Sequence, residues 1–578
     1  MKQDFRSIEQ LSQNEVLDLI NSKPVVLIGS AISNFHPTNL PAGANFINGI
    51  FSFIFSDLIR DEDNRSIVQK LEEEYNNMPF EAVMECFPLQ KELPSTISNI
   101  FRTEAFNEYH RSFADKFERG VIHSIITPNY DLAFDKILDN LNFKKVVFIK
   151  QDYELRKQLD TRVYFKIHGT SEQGFSESLV YNLSQESKLE EWKRVLLQEI
   201  INKRNLIVIG YSGRDFDICP VIAELNSYNK IIWIHREGDS IMAYQEALIK
   251  SKETNEIVYG DLSRFARQVF GEEIVLKFSN AKFESENYFN LNKDELLMWQ
   301  IHILDRMACA NLIYPILCKL KKRIPLELHK QLMCNYYGHI GKYKKAAQLH
   351  FSCAKQHAQS TKEHIVFLMY SSGSWIGYGD YFYAYRNLAK AKKLFQKYFK
   401  EDLQLQLNIL KSELVFWSKV QKLLGPIKEM LKGKVSKIRI EIDKLKQETS
   451  LDNRQEIRLN LNRLKISTDF SFISSYKGYN CLGITGMSII AYRHKIENGE
   501  WEDDEEPLAD LEKNIEKAKF LGMSTELWKL SRIRLKKRKL SLIEKRRVLH
   551  DWKYNLQITE YGLFRFCLER VEWYWFFF

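Results

Sequence analysis

Three polar side chains that could act on a substrate stand directly after short apolar segments. Asn129 and Asp131 follow the segment Ile122–Thr127, and His168 follows Arg162–Ile167. An imidazole can move protons near neutral pH, and an amide or a carboxylate can orient a hydroxyl or a water molecule. Asn and Asp also favour the first position of a helix, so Asn129 and Asp131 could simply cap the helix that follows.

Two loops that contain glycine and serine follow two other apolar segments. The first is Gly29–Ser33 (GSAIS), and the second runs from Gly210 to Asp215 (GYSGRD). Such loops open a helix and present unpaired backbone N–H groups, which suit a phosphate or a ribose. Each is a weak signal alone, and the first lacks the full G-x-G-x-x-G pattern of a dinucleotide-binding turn.

The elements that must position these residues are short strands. Seven segments rich in Val and Ile, and almost continuously apolar, predict strands buried on both faces of a parallel sheet. We therefore expect an α/β fold with a doubly wound, Rossmann-like sheet, whose ligands bind beyond the carboxyl ends of the strands. The predicted strands are Pro24–Gly29, Ile122–Thr127, Lys145–Lys150, Arg162–Ile167, Asn205–Gly210, Lys230–His235 and Glu256–Tyr259.

Helical patterns fill the intervals between these strands. The interval Ile50–Phe101 is helical in character and separates the first strand from the second, so it predicts a helical insertion that caps the sheet, as a lid or specificity element. From about Ser279 onward strand-like segments almost vanish. We expect a Rossmann-like domain at residues 1–278, with the insertion at about 50–101, and an all-α domain at 279–578. The other predicted helices are Glu104–Arg119, Leu132–Leu141, Leu189–Ile201, Asp215–Asn226 and Ile241–Lys252.

The C-terminal half has two loosely similar segments, Gly341–Ala354 and Gly379–Ala391, offset by 38 residues. Each opens with a turn glycine and an aromatic residue, which resembles the helix-turn-helix pattern of tetratricopeptide repeats, so we predict a helical repeat or bundle. Lys419–Leu464 predicts two long charged helices with a break near Thr449–Asn453. The aromatic end Trp573–Phe578 predicts either docking into its own domain or contact with a partner.

Composition is that of an ordinary globular protein, with a net charge of +9 concentrated in basic clusters at Lys428–Lys446 and Leu535–Arg547. Acidic or apolar residues interrupt both clusters, which favours solvated helix faces over nucleic-acid contact. The eight cysteines include no C-x-x-C pair, so we expect neither disulfides nor a bound metal. There is no long apolar run and no apolar N-terminal leader, so we expect a cytoplasmic protein.

Together, the four strand ends resemble the sirtuin fold in their order and in their local sequence. Two further segments, Gly210–Ile218 (GYSGRDFDI) and Asn107–Ala114 (NEYHRSFA), look like the prokaryotic sirtuin-like branch associated with antiviral defence. The resemblance covers about residues 14–275 and implies NAD as the ligand. The matching motifs are Gly29–Ser33 (GSAIS), Thr127–Asp131 (TPNYD), His168–Gly169 and Gly210–Ser212 (GYS).

Departures from the sirtuin pattern bear on the expected activity. Protein-deacylating sirtuins have a four-cysteine zinc module, and this stretch contains no such set of cysteines. Ala31 stands where a second glycine is usual, and His36–Phe46 (HPTNLPAGANF) replaces the usual G-x-P-D-F-R stretch. The zinc-free defence branch is known for NAD hydrolysis, so the resemblance implies NAD as the substrate, with ADP-ribose and nicotinamide as products.

The resemblance also implies a role for each motif residue. Asn129 would orient the ribose hydroxyls and the attacking water, and His168 would act as the general base, so these are the predicted catalytic residues. Asp131 would hold the ribose or the loop beside the nicotinamide. Serines and glycines of the two loops would approach the pyrophosphate and the adenosine half. The other predicted NAD-binding residues are Gly29, Ser30, Ala31, Ser33, Thr127, Gly210, Ser212 and Asp215.

An unrestrained NAD hydrolase would kill its own host, so by analogy the helical half would restrain the enzyme and sense an invader. We expect a homo-oligomeric, abortive-infection antiphage effector, triggered by a phage protein through the helical domain, without membrane association and without a nucleic-acid partner. Two alternatives stay open. One is a non-hydrolytic module that senses NAD or an ADP-ribose derivative, and the other is a protein deacylase or ADP-ribosyltransferase, which would need an acceptor cleft.

Overall fold

The chain divides into two compact units, Met1–Asn292 and Lys293–Phe578, which are described separately below. The predicted domain boundary at residue 278 stays a prediction. The computed structural model describes residues 6–448, except 42, 61–64, 76–77, 79, 141–145, 157–161, 183–184, 186–188, 214, 216, 240, 242, 280–282, 308 and 424–427, together with residues 492, 511, 513–518 and 530.

Seven parallel strands among the described residues form one sheet in the N-terminal unit, in the order β3-β4-β2-β1-β5-β6-β7. This confirms the predicted α/β fold and all seven predicted strands, although most are shorter than expected. The first strand is central, and the chain adds strands first on one side of it and then on the other. The strands are β1 (Val25–Ile28), β2 (Ser124–Thr127), β3 (Val146–Val147), β4 (Tyr164–Lys166), β5 (Asn205–Ile209), β6 (Lys230–His235) and β7 (Glu256–Tyr259).

Helices cover both faces of this sheet. They are α1 (Gln13–Asn21), α2 (Gly43–Ile54), α3 (Ser56–Ile59), α4 (Arg65–Tyr75), α5 (Phe80–Glu85), α6 (Leu93–Phe101), α7 (Glu108–Glu118), α8 (Ala133–Asn140), α9 (Lys150–Arg156), α10 (Glu191–Ile201), α11 (Ile218–Leu225), α12 (Ala243–Lys250) and α13 (Leu262–Phe265). Helices α2 to α6 confirm the helical character predicted for the insertion.

Successive side chains of a strand point to opposite faces, and here both faces are core. Val26 and Ile28 of β1 belong to a cluster with residues of α7, whereas Val25 and Leu27 belong to a cluster with residues of α10 and α11. Burial on both faces is therefore the physical reason for the continuously apolar strands.

The C-terminal unit is helical throughout its described residues, as predicted. Its helices pack mainly against their neighbours in the chain, and the two repeat-like segments form α17 and α19. The helices are α14 (Lys293–Arg306), α15 (Ala310–Leu320), α16 (Leu326–His339), α17 (Tyr343–Ala354), α18 (Lys362–Tyr378), α19 (Tyr381–Tyr398), α20 (Leu403–Leu423) and α21 (Lys428–Glu448).

The first helix predicted for the charged region covers the end of α20 and the whole of α21, and residues 424–427 between these two helices lie outside the described residues. The sequence between them contains Gly425 and Pro426, both poor helix formers. The predicted break at Thr449–Asn453, the basic cluster at Leu535–Arg547 and the aromatic end Trp573–Phe578 lie outside the described residues. Across the described part of the chain, we find no helix long and apolar enough to cross a membrane.

The first strand and the fifth end in direct backbone contact. Gly29 donates its N–H to the carbonyl of Ile209 at 3.0 Å, and Ala31 donates to the carbonyl of Gly210 at 3.2 Å. A Cβ on Gly29 would lie 2.3 Å from the oxygen of Gly210 and 2.4 Å from the Cα of Tyr211. Only glycine allows this approach, so the two loops are fixed against each other.

We predict that Gly29→Ala destabilises the ends of β1 and β5 by about 1–3 kcal/mol, because backbone must move to admit the methyl group. Hydrogen exchange of the amides in these strands measures that cost as a lower free energy of opening. Gly43→Ala is the matched control, since its Cβ would have no neighbour within 4 Å. Equal protection in the two variants would contradict the close approach.

Candidate active site

A cleft lies beyond the carboxyl ends of β1, β2, β4 and β5, next to the central strand, which is where open α/β sheets bind their ligands. One wall comes from the strand ends, namely Ser30, Ser33, Pro128, Asn129, Tyr130, Asp131, His168, Tyr211, Ser212 and Asp215. The opposite wall comes from the segment that contains the helical insertion, namely Leu40, Pro41, Gly43, Phe46, Phe80, Glu81 and Phe101.

The turn after β2 holds Asn129 at the edge of this cleft. The hydroxyl of Thr127 donates to the carbonyl of Ile28 at 2.8 Å and accepts the N–H of Asn129 at 3.1 Å. The Asn129 amide donates from Nδ2 to the carbonyl of Gly29 at 3.2 Å. Thr127 is thus buried behind the cleft and fixes the turn, whereas Asn129 is half-buried and lines the cleft.

Asp131 sits in a buried hydrogen-bond chain. The backbone N–H of Asn107 donates to Nδ1 of His110, so the neutral ring carries its proton on Nε2, 3.4 Å from the Ser33 oxygen. Ser33 then donates to Oδ2 of Asp131 at 2.8 Å, and the N–H of Ala133 donates to Oδ1 at 3.1 Å. Burial lowers the pKa of His110 to about 3, which keeps this ring neutral.

Burial also raises the pKa of the Asp131 carboxyl, against the opposing effects of Lys166, Ser33 and the N–H of Ala133. Its oxygens are committed to Ser33 and to the start of α8. Asp131 therefore acts as the helix cap that the sequence allowed, and it also lines the cleft.

A fully buried lysine in β4 ties this turn to the next strand end. Nζ of Lys166 donates to the carbonyl of Asp131 at 2.7 Å and to Thr170 Oγ1 at 2.9 Å, and it pairs with Asp135 Oδ2 at 3.0 Å. It also donates to the carbonyl of Tyr130 at 3.3 Å. One ammonium group thus joins the two residues that follow Asn129 to the loop that contains His168.

His168 is buried and paired with a carboxylate. Its Nε2 lies 3.1 Å and 3.2 Å from the two oxygens of Asp217, at the start of α11. Burial lowers the pKa of His168, but the charge and hydrogen bond of Asp217, helped by the charge of Asp215, outweigh burial, and the pKa is raised overall. Since Asp217 accepts the Nε2–H, Nδ1 is the ring nitrogen left to accept a proton.

The two loops that contain glycine and serine line the part of the cleft that would suit a phosphate or a ribose. Ser30 and Ser212 are exposed and line the cleft, and Asp215 lines it beside them. Hydroxyl and backbone N–H groups at this edge could bind a phosphate or a ribose.

The insertion contributes an aromatic wall. The ring centroid of Phe46 lies 5.2 Å from that of Phe80 and 5.5 Å from that of Phe101, which in turn lies 5.4 Å from Tyr130. The carboxylate of Glu81 is buried beside these rings. Such a wall could cover a flat ring and exclude water.

Seven of the eleven predicted site residues line the cleft, namely Ser30, Ser33, Asn129, Asp131, His168, Ser212 and Asp215. The other four stand behind it and hold the loops through close packing or hydrogen bonds, namely Gly29, Ala31, Thr127 and Gly210.

Sequence reasoning missed Asp217, Lys166 and His110. Asp217 stands two residues after Asp215, and this pair of acids before a helix was an available signal. His110 lies in the segment NEYHRSFA, which was noticed without a role for any residue in it. Nothing in the segment RVYFKI indicates that Lys166 would bind the turn after β2, because the partners in that turn come from another part of the chain.

The fold and the site define an α/β protein with a doubly wound parallel sheet, which has an Asn and a His–Asp pair at the switch point of the sheet. Residues 123–257 match the model of the SIR2-like domain family. The N-terminal unit is thus similar to SIR2-like domains over these residues, and the described residues of the C-terminal unit are helical. No curated protein matches the chain.

The matched residues run from β2 into β7 and include Asn129, His168 and Asp217. Among the residues that the structure describes, no group of three or more His, Cys, Asp or Glu side chains could hold a metal ion.

We predict that Lys166→Met destabilises the sheet by about 3–5 kcal/mol, because the Asp135 carboxylate is left buried without its cation. Hydrogen exchange of the β2 and β4 amides reports the loss. Burial already raises the pKa of Asp135, and removing Lys166 raises it further. A raised carboxyl pKa costs stability as the pH rises, so the deficit should shrink when the pH is lowered.

Lys136→Met is the matched control, because Lys136 forms an exposed ion pair with Glu104 at 3.1 Å. Such a pair contributes about 1 kcal/mol or less. If the two variants lost similar amounts of stability, the buried ion pair of Lys166 would matter no more than an exposed one.

Proposed function

We propose that the N-terminal unit hydrolyses NAD+ at the bond between nicotinamide and ribose, releasing nicotinamide and ADP-ribose. The observation that carries the proposal is the position of His168, held by Asp217, in the same cleft as Asn129. A SIR2-like domain supports an NAD-related activity, and the cleft residues support hydrolysis as the reaction.

The reaction breaks the C1′–N bond, and its electron pair stays on the ring nitrogen, so nicotinamide leaves as a neutral base. Positive charge develops on the ribose, water attacks C1′, and the water proton passes to Nδ1 of His168. Asp217 stabilises the imidazolium that forms, and Asn129 orients the ribose and the water. The proton is then released to solvent, which balances the reaction.

Charge in the cleft favours one orientation of the dinucleotide. Glu81 lines it next to Phe80 of the aromatic wall, and Asp131 lines it two residues after Asn129. Carboxylates stabilise a developing cation but repel a pyrophosphate. The cationic nicotinamide riboside half therefore belongs beside Asn129 and the aromatic wall, and the pyrophosphate belongs at the exposed serines Ser30 and Ser212.

The helical unit extends the proposal by functional analogy. We propose that the full chain is a homo-oligomeric antiphage effector in the cytoplasm, which depletes NAD when a phage protein engages the helical unit. Comparing NAD loss by the full-length protein with and without lysate from infected cells tests this step. Full activity of the protein alone, unchanged by any lysate, would contradict it.

We predict that His168→Ala and Asn129→Ala each slow nicotinamide release by about 100-fold or more. General base catalysis by His168 contributes at least that much, and so does the orientation of the ribose and water by Asn129. Chromatography of nicotinamide and ADP-ribose made by the purified full-length protein measures the effect. Free ADP-ribose, equimolar with nicotinamide, distinguishes hydrolysis from transfer to a protein or an acyl group.

His235→Ala is the matched control. His235 is also a buried histidine at the end of a strand, but it bonds to Gln245 and to the carbonyl of Asp239, and it is absent from the lining of the cleft. Its variant should keep the wild-type rate. Normal turnover by the His168 variant would remove this residue from the mechanism.

We predict that Asp217→Asn shifts the acidic limb of the pH–rate profile to lower pH. Asp217 is the main cause that raises the pKa of His168, and burial, which lowers it, would then dominate. The base form of His168 would persist to lower pH, while the maximal rate falls because the imidazolium loses its partner. A profile of kcat/KM against pH measures both effects, and an unmoved acidic limb would contradict the pairing.

A further inference from the structure

Helix α19 carries a row of four cations on its exposed face. Arg386, Lys390, Lys393 and Lys397 are separated by four, three and four residues, so they lie within an arc of about 60° around the helix axis. The rise between neighbours along the axis is about 4.5–6 Å. The row is therefore straight, evenly spaced and about 16 Å long.

Within the described part of the chain, no ion pair neutralises these four cations. None of the four forms an ion pair with a residue that the structure describes, whereas Lys392 on the same helix pairs with Glu413 at 2.8 Å. Helix α19 itself contains no Asp or Glu. Like charges three or four residues apart repel one another, so the row favours a bound polyanion.

The rest of the C-terminal unit adds to the positive charge around these four cations. Residues 293–448 contain 28 Lys and Arg against 13 Asp and Glu, while residues 1–292 contain an excess of acidic residues. The positive charge of the chain is thus concentrated in the stretch that includes α19. A polyanion would be drawn to this part of the chain.

Two exposed aromatic rings stand at the N-terminal end of the row. The side chain of Phe382 is 73% exposed and that of Tyr383 is 44% exposed. On a helix of 3.6 residues per turn, these two residues lie on either side of the row, each within about 20° of its nearest cation. Flat rings next to a line of cations can stack on unpaired bases while the cations follow the backbone.

We propose that this face of α19 binds single-stranded nucleic acid. A single strand offers evenly repeated negative charge for the row and unpaired bases for the two rings. A protein partner would instead match an apolar centre with a polar rim. Here cations occupy the centre of the face, and the exposed rings, including that of Tyr398, lie toward its ends. The row is on a different helix from the two basic clusters that were assigned to solvated faces, and the proposal does not depend on NAD hydrolysis.

The test is fluorescence anisotropy of a labelled 20-nucleotide oligo-dT and oligo-U with the purified full-length protein. The variant K390E/K393E/K397E is compared with K319E/K321E/K322E, which makes the same charge change on exposed lysines at the end of α15 and after it. We expect the first variant to lose at least tenfold in affinity and the second to stay within about threefold of wild type. Circular dichroism confirms that both variants are folded.

Salt dependence and stacking give two further readouts. Each neutralised phosphate of a single strand adds about 0.7 to the slope of log affinity against log salt, so K390E/K393E/K397E should lower the slope by about two. Phe382→Ala should weaken binding by about tenfold, since it removes a stacking surface.

Three results would overturn the proposal. The first is an equal loss of affinity in the two triple variants, which would mean that net charge alone attracts the oligonucleotide. The second is binding of duplex DNA as tightly as single strands, together with no effect of Phe382→Ala. The third is binding of a labelled poly-Glu peptide but of neither oligonucleotide, which would identify an acidic protein segment as the partner.

Discussion

A buried ammonium group sets the geometry on which the site depends. Nζ of Lys166 reaches two carbonyls of the turn after β2, the carboxylate of Asp135 and the hydroxyl of Thr170. Taking an ammonium out of water costs several kcal/mol, and converging acceptors offset that cost. Asn129 precedes the tied carbonyls and His168 lies between Lys166 and Thr170, so one cation fixes both positions. The arrangement preorganises two strand ends without using either of the side chains that would meet a substrate.

Hydrogen bonding also gives two buried carboxylates of the site, Asp131 and Asp217, different roles. Asp131 has both oxygens occupied, by Ser33 and by the N–H that begins α8. Its position is fixed in turn by the neutral ring of His110, which directs the Ser33 proton toward it. Asp217 instead faces an imidazole and raises its pKa against the effect of burial. The two carboxylates thus have different roles. Asp131 fixes the start of α8, and Asp217 binds and stabilises the imidazole of His168.

Much of the fold could be predicted from local pattern, because both faces of the sheet are buried and the strands are continuously apolar. The meeting of Asn129 and His168 at one edge followed from that topology. The contacts of Lys166 and Asp217 could not be predicted, since they join residues that are 31 to 49 positions apart and depend on the packed strand ends.

The proposed hydrolysis requires that the cleft beside β1 binds NAD with its scissile bond between Asn129 and His168. The most direct measurement is a crystal structure of the full-length His168→Ala variant soaked with NAD. We expect density for the intact dinucleotide in this cleft, with the nicotinamide-side ribose within about 3 Å of the Asn129 amide and the pyrophosphate toward Ser30 and Ser212. NAD bound elsewhere on the chain, or in this cleft with its adenosine half at Asn129, would contradict it.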